Sequence, residues 1–171
     1  DGTSQWITSA QARADGHAWR ARACAILTGV GTVLQDDPQL DVRLVETTRQ
    51  PHLVIVDSQL RTPPDAALFA AAGARKIWIY ATQGDDPQVQ ARAQRLQERG
   101  ADIRYLPCAA APAAGRSQVD LQALLDDLAQ REINELHVEA GQTLNGALVA
   151  HGLVDELLLY LAPKLVGEGM G

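Results

Sequence analysis

The chain has 171 residues, a formal net charge of −6, 46% hydrophobic and 21% charged residues, which describes one globular domain of ordinary size and excludes a disordered segment. No apolar run approaches the ~18 residues of a membrane span, and the opening DGTSQWITSAQ lacks the basic and apolar parts of a signal peptide. Acidity with 4% aromatics argues against a nucleic-acid partner, and Cys24 and Cys108 make neither a disulfide framework nor a metal spacing, so a soluble, cytoplasmic α/β domain with a small-molecule or protein partner is expected.

Helical and extended patterns alternate along the chain. Ser9 is a fair N-cap for a helix over residues 10–23, with Ala18 and Trp19 as candidates to face a core; Gly16 weakens it. Residues 24–28 (CAILT) read as a buried strand ending at Gly29. Residues 52–57 (HLVIVD) and 76–82 (KIWIYAT) are β-branched and aromatic-rich strands. A polar helix over 87–99 is closed by Gly100 in the C′ position, and 101–106 (ADIRYL) alternates as a half-buried strand does. The small, Pro-broken stretch 107–115 reads as a surface loop. Ser117 caps a helix to about Arg131 with Leu121, Leu124, Leu125 and Leu128 on one face. Residues 135–140 (ELHVEA) form a strand, 143–151 a helix and 156–162 (ELLLYLA) a last apolar strand. This order predicts a mostly parallel sheet with helices on both faces.

Two stretches, CAILTGVGTVLQDDPQL and HVEAGQTLNGALV, place glycine between a buried strand and a helix start. Gly29, Gly31, Gly141 and Gly146 allow close approach of a ligand, Thr32 and Thr143 add hydroxyls, and free amides at a helix N-terminus favour a phosphate. Neither turn is a full G-x-G-x-x-G or a Walker loop, and each taken alone is equally well a plain connector. The four histidines, His17, His52, His137 and His151, have no paired ligand spacing, so no metal site is expected. Cys24 reads as core filler, Asp126 and Asp127 as a solvated helix face, and Asp155 and Glu156 as the start of the last strand.

The run Ser4-Gln5-Trp6-Ile7-Thr8-Ser9, then Arg20, Ala25-Ile26-Leu27-Thr28-Gly29 and Thr32-Val33-Leu34-x-Asp36-Asp37-Pro38-x-Leu40-x-x-Arg43 carry a stronger signal. They continue as Val56-Asp57-Ser58, Val138-Glu139-Ala140-Gly141, Thr143-Leu144-x-Gly146-Ala147, Leu153-Val154-Asp155-Glu156 and Ala162-Pro163-Lys164-Leu165-x-Gly167. In this order, across nearly all of the chain, the blocks resemble the reductase domain of the bifunctional riboflavin-biosynthesis deaminase–reductase. The resemblance implies a three-layer, dihydrofolate reductase-like α/β domain with a mainly parallel sheet. It also implies reduction of the ribosyl group of 5-amino-6-(5-phosphoribosylamino)uracil to ribityl by NADPH. Alignment of donor and acceptor carbons is the main catalytic effect in such a reaction, so no nucleophile or triad is expected.

By matched position, the resemblance assigns Ser4, Arg20, Leu40, Arg43 and Glu139 to substrate. The two arginines suit a substrate phosphate, because a guanidinium fork matches it in shape and charge. It assigns Trp6, Thr32, Asp36 and Ser58 to NADPH, with Arg61 beside Ser58 as a reader of the 2′-phosphate. The turn residues Gly141, Gln142, Thr143, Leu144, Asn145, Gly146 and Ala147 complete the cofactor set. Without the resemblance, Arg20 and Arg61 read as solvated cations, Arg43 as a loop ion pair, Trp6 as a core aromatic and Glu139 as a strand-end charge.

Against that family the chain lacks a first strand before Ser4 and further strands past Gly167, and shows no zinc deaminase signature. The expectation is thus one reductase domain over 1–171 with both ends short and a deaminase absent or upstream. A homodimer is expected, for which residues 156–162 would serve as interface, or equally as a buried central strand. Rival readings are a related diaminopyrimidine or dihydrofolate-type reductase, and a non-catalytic nucleotide-binding or dimerisation domain for a neighbouring deaminase.

Overall fold

The computed structural model describes residues 8–84, 86–109 and 118–162. Five strands form one parallel sheet: β1 (Ala25–Gly29), β2 (His52–Val56), β3 (Ile77–Thr82), β4 (Ala101–Leu106) and β5 (Leu136–Val138), in spatial order β4-β3-β2-β1-β5. Strands of a parallel sheet are buried on both faces, so β1, β2 and β3 read as continuous apolar runs. Ile26, Leu53, Ile55, Ile77 and Ile79 share one face with Val33, Leu68, Phe69 and Leu96. Leu27, Val54, Trp78 and Tyr80 share the other with Leu124, Leu128 and Leu148.

The first face is covered by α2 (Val30–Asp36), a 3-10 turn (Ala67–Ala71) and α3 (Pro87–Glu98); the second by α4 (Leu121–Gln130) and α5 (Gln142–Ala150). The result is the three-layer, dihydrofolate reductase-like architecture that the resemblance implies. Gly100, at φ 92°, ends α3 in the left-handed conformation expected of a C′ glycine. Cys108 and Val119 meet in an isolated antiparallel bridge.

Several expectations are corrected. Residues 156–162 are not a strand: they run irregularly, with Leu157, Leu159 and Leu161 exposed, Leu161 to 85%. Apolar content alone does not make a buried strand; a sheet edge must be there to pair with it, and here none is engaged. Asp155 and Glu156 therefore start no strand. Asp120, not Ser117, caps α4, its carboxylate accepting from the Gln122 and Ala123 amides; Ser117 lies outside the described residues. In α1 (Ala10–Arg22), Ala18 is exposed and the buried residue is His17. Asp127 is no solvated charge: it accepts from Tyr80 Oη at 2.5 Å and pairs with Arg131 at 2.7 Å. Among the described residues no helix is long and apolar enough to cross a membrane.

Candidate functional site

Strands β1 to β4 are laid down in one direction, and β5 then joins on the far side of β1. Ligands of open parallel sheets bind where the order reverses, at the carboxyl ends of the strands. The two glycine turns stand there. Gly29 ends β1 and precedes α2, and Gly141 follows β5 and precedes α5. They touch although 112 positions separate them: a Cβ on Gly141 would lie 3.7 Å from Thr32 Oγ1, and one on Gly29 3.5 Å from Leu144 Cδ2.

The other helices have their first amides taken by side chains, Ser9 for α1, Asp86 for α3 and Asp120 for α4. Helices α2 and α5 start on glycine with no side-chain cap. Two helix ends of positive potential thus sit side by side without a side-chain cap on either, which suits a pyrophosphate. Asn145 Nδ2 donates to Ala140 O at 2.7 Å and fixes the second turn, while Gln142, Thr143 and Gly146 are exposed.

A cleft of about 1380 Å³ opens beside β5, between α1, α5 and residues 153–160. Its floor is a fork-to-fork ion pair. Arg20 Nε donates to Glu139 Oε1 at 2.5 Å, Arg20 Nη2 to Glu139 Oε2 at 2.6 Å, and Arg20 Nη1 to Asp41 O at 2.9 Å. Glu139 reaches this place because its N–H donates to Leu27 O at 2.9 Å, which carries the β1–β5 pairing one residue past the strand. His137 Nε2 stands 3.3 Å from Glu139 Oε1. Burial alone would raise the Glu139 carboxyl, but the Arg20 hydrogen bonds, then His137, outweigh it and hold it at about 2. The group is a carboxylate at any working pH and accepts, never donates.

Residues 37–43 run without regular structure and reach the cleft at Arg43. Asp37 and Leu40 are left-handed, at φ 41° and 49°. Side chains from distant elements hold this backbone. Arg75 donates to Gln39 O at 2.7 Å and to Leu40 O. Gln50 accepts from Val42 N at 2.7 Å and donates to Val42 O at 2.9 Å. His17, one turn before Arg20 on the same face of α1, accepts the Arg43 N–H on Nδ1 at 3.2 Å. Arg43 itself is exposed, with Nη1 on the Asp41 carboxylate.

Of the residues singled out by resemblance, Arg20, Arg43 and Glu139 meet at the cleft. The Leu40 side chain packs in the core at 3% exposure, which leaves only its backbone for a ligand. Thr32 lies against the Gly141 turn, and Asp36 is exposed at the far end of α2. Ser58 follows β2; its Oγ accepts from Val119 N at 3.2 Å and keeps its own proton to donate. Arg61 beyond it is exposed, with no ion pair among the described residues. Ser4 and Trp6 lie outside the described residues. Sequence reasoning passed over His17, Gln50 and Arg75, whose partners are 8 to 36 positions away and leave no local pattern. Among the described residues no group of three His, Cys, Asp or Glu side chains is placed to hold a metal ion.

The whole chain, residues 1–171, matches the model of the RibD C-terminal domain. It is 39% identical over 98% of its length to the riboflavin biosynthesis protein RibD of Escherichia coli (strain K12), and covers 44% of that protein. It is 32% identical over 98% of its length to the 5-amino-6-(5-phosphoribosylamino)uracil reductase of Buchnera aphidicola, covering 79% of that relative. A solved structure of Acinetobacter baumannii RibD (form 1) superposes with a TM-score of 0.74 at 31% identity, over 98% of this chain and 42% of that one. The chain thus spans less than half the length of the RibD proteins it matches.

Proposed function

Because the chain belongs to the RibD C-terminal domain family, we propose that it reduces the ribosyl group of 5-amino-6-(5-phosphoribosylamino)uracil to ribityl, with NADPH as reductant. The observation that carries this reading is the cleft where Arg20, Glu139 and Arg43 converge, next to the paired, uncapped turns at Gly29 and Gly141. One half offers a carboxylate and guanidinium groups to a phosphorylated polar molecule, and the other offers amides to a pyrophosphate.

The donor set fits a dinucleotide. Gly141 through Ala147, with Thr32, would hold its pyrophosphate; Asp36 stands further along α2; Ser58 and Arg61, one strand away, would take a 2′-phosphate. When bound, NADPH supplies a hydride equivalent, two electrons and a hydrogen nucleus, to C1′ of the opened sugar. As the C1′–N bond loses its double-bond character, its electron pair goes to nitrogen, which takes a proton. The chain's own contribution is placement. Arg43 draws in the substrate phosphate, and Glu139, fixed as an anion by Arg20, accepts hydrogen bonds from substrate donors. No covalent intermediate with the protein is called for.

Oxidation of NADPH followed at 340 nm, with the phosphoribosylaminouracil present, tests the reading. Turnover that falls at least 100-fold in Arg20→Ala, and KM for the aminouracil that rises at least tenfold in Arg43→Ala, are the expected results. Tight NADPH binding with no turnover in the intact protein would instead identify a non-catalytic nucleotide-binding module. The exposed leucines of 157–161 favour a homodimer as the working assembly.

A further inference from the structure

Arg75 is 6% exposed, and among the described residues it has no ion-pair partner. Its guanidinium is spent on carbonyls: Leu40 O from Nη1, Gln39 O and, at 3.4 Å, Leu68 O from Nη2, while Nε has no hydrogen-bond partner among the described residues. Burial pulls its pKa down to about 10, so the group stays charged at neutral pH. The Asp41 carboxylate eases this from a distance but makes no ion pair with it. Burying a cation with no carboxylate in contact is unfavourable, and an apolar side chain of similar size would fill the space without that penalty.

The second unfavourable feature lies on the same loop. Leu40, a branched residue, is left-handed at φ 49°, a conformation that is strained outside glycine. Its side chain is anchored in the core while its carbonyl is held by Arg75. Between these two fixed points the backbone turns, and three residues later it presents Arg43 to the cleft. Two costly features on one short segment are characteristic of a site held in place for function.

We infer that Arg75 is a positioning residue for the reaction: by holding the Gln39 and Leu40 carbonyls it keeps the 40–43 backbone and Arg43 where the substrate is bound. The inference rests on the reading of Arg43 as a substrate group. It separates Arg75 from the nucleotide half of the site, whose turns it does not touch.

The experiment compares wild type, Arg75→Met and Arg75→Lys by steady-state kinetics and by amide hydrogen exchange over residues 40–43. In Arg75→Met, KM for the aminouracil should rise at least tenfold, KM for NADPH should stay within twofold, and the Val42 and Arg43 amides should exchange faster. Arg75→Lys, which restores charge and a donor, should recover part of the lost affinity. If Arg75→Met does not fold, Arg75→Lys alone decides, with a smaller rise confined to the aminouracil. Unchanged aminouracil KM with unchanged exchange overturns the inference. Equal losses toward both substrates also overturn it, since they mark a purely structural role. If wild type does not turn over the aminouracil, the functional reading fails. The exchange data then still decide whether Arg75 holds the loop: faster exchange upholds that hold and unchanged exchange refutes it.

Discussion

His17 is placed so that one proton would undo its work. Its Nδ1 accepts the Arg43 N–H, which requires a neutral ring with the proton on Nε2. Burial lowers its pKa below 6.5, and the positive charges of Arg20 and Arg43 add to that; Asp41 and Glu139 pull the other way and lose. A base with a depressed folded pKa contributes stability that is complete above pH 6.5 and is lost as pH falls through the folded value. Below that window the imidazolium becomes a donor facing a donor, between two arginines. KM for the aminouracil should therefore climb as pH is lowered from 7 to 5.5. His17→Asn, whose Oδ1 accepts without titrating, should flatten that profile. An identical slope in both proteins would show that the titrating group lies elsewhere.

At the scale of elements, the paired glycine turns allow a clean separation of fold from ligand. A methyl group on Gly141 meets nothing nearer than Thr32 Oγ1 at 3.7 Å, and its φ of −74° suits alanine. Gly141→Ala should cost no more than about 1 kcal/mol through the poorer N-cap, a shift of roughly 2–4 °C in Tm. It should weaken NADPH binding at least tenfold, because the methyl group occupies the approach to the amides. Calorimetric titration and a thermal melt check the two halves, and undiminished affinity would remove the turn from the cofactor site. Strands β2 and β3 were legible because an apolar run between turn residues has few other uses. The same criterion misplaced residues 156–162, since a leucine-rich segment reads alike whether it lies within a sheet or on its surface. Arg20 and Glu139 came to light only through the ordered family blocks; their pairing across 119 positions has no local trace. Arg75, between Ala74 and Lys76, looks like any basic residue before a strand. What buries it is a loop 35 positions upstream, visible only in three dimensions.

For the whole molecule, net charge −6 does not exclude an anionic ligand, since Arg20 and Arg43 gather at one cleft. The exposed strip at 157–161 bears on assembly. If it is a contact between copies, sedimentation of wild type should show a dimer, and Leu159→Glu with Leu161→Glu should shift it to monomer while the circular dichroism stays unchanged. A wild type that sediments as monomer at high micromolar concentration would rule this out.

The late return of β5 to the flank of β1 has a consequence in time as well as in space. Strands β1 to β4 pair with their successors in the chain, so each closes a short loop; β5 must be brought back across more than a hundred residues. Long-range parallel pairing is the slow part of folding such a chain. Arg20 and Glu139 face each other only once that pairing has closed. A partly folded form made of β1 to β4 would possess most of the hydrophobic core but neither Glu139 nor the Gly141 turn in place. A ligand that needs both halves of the site would then favour the completed sheet by mass action.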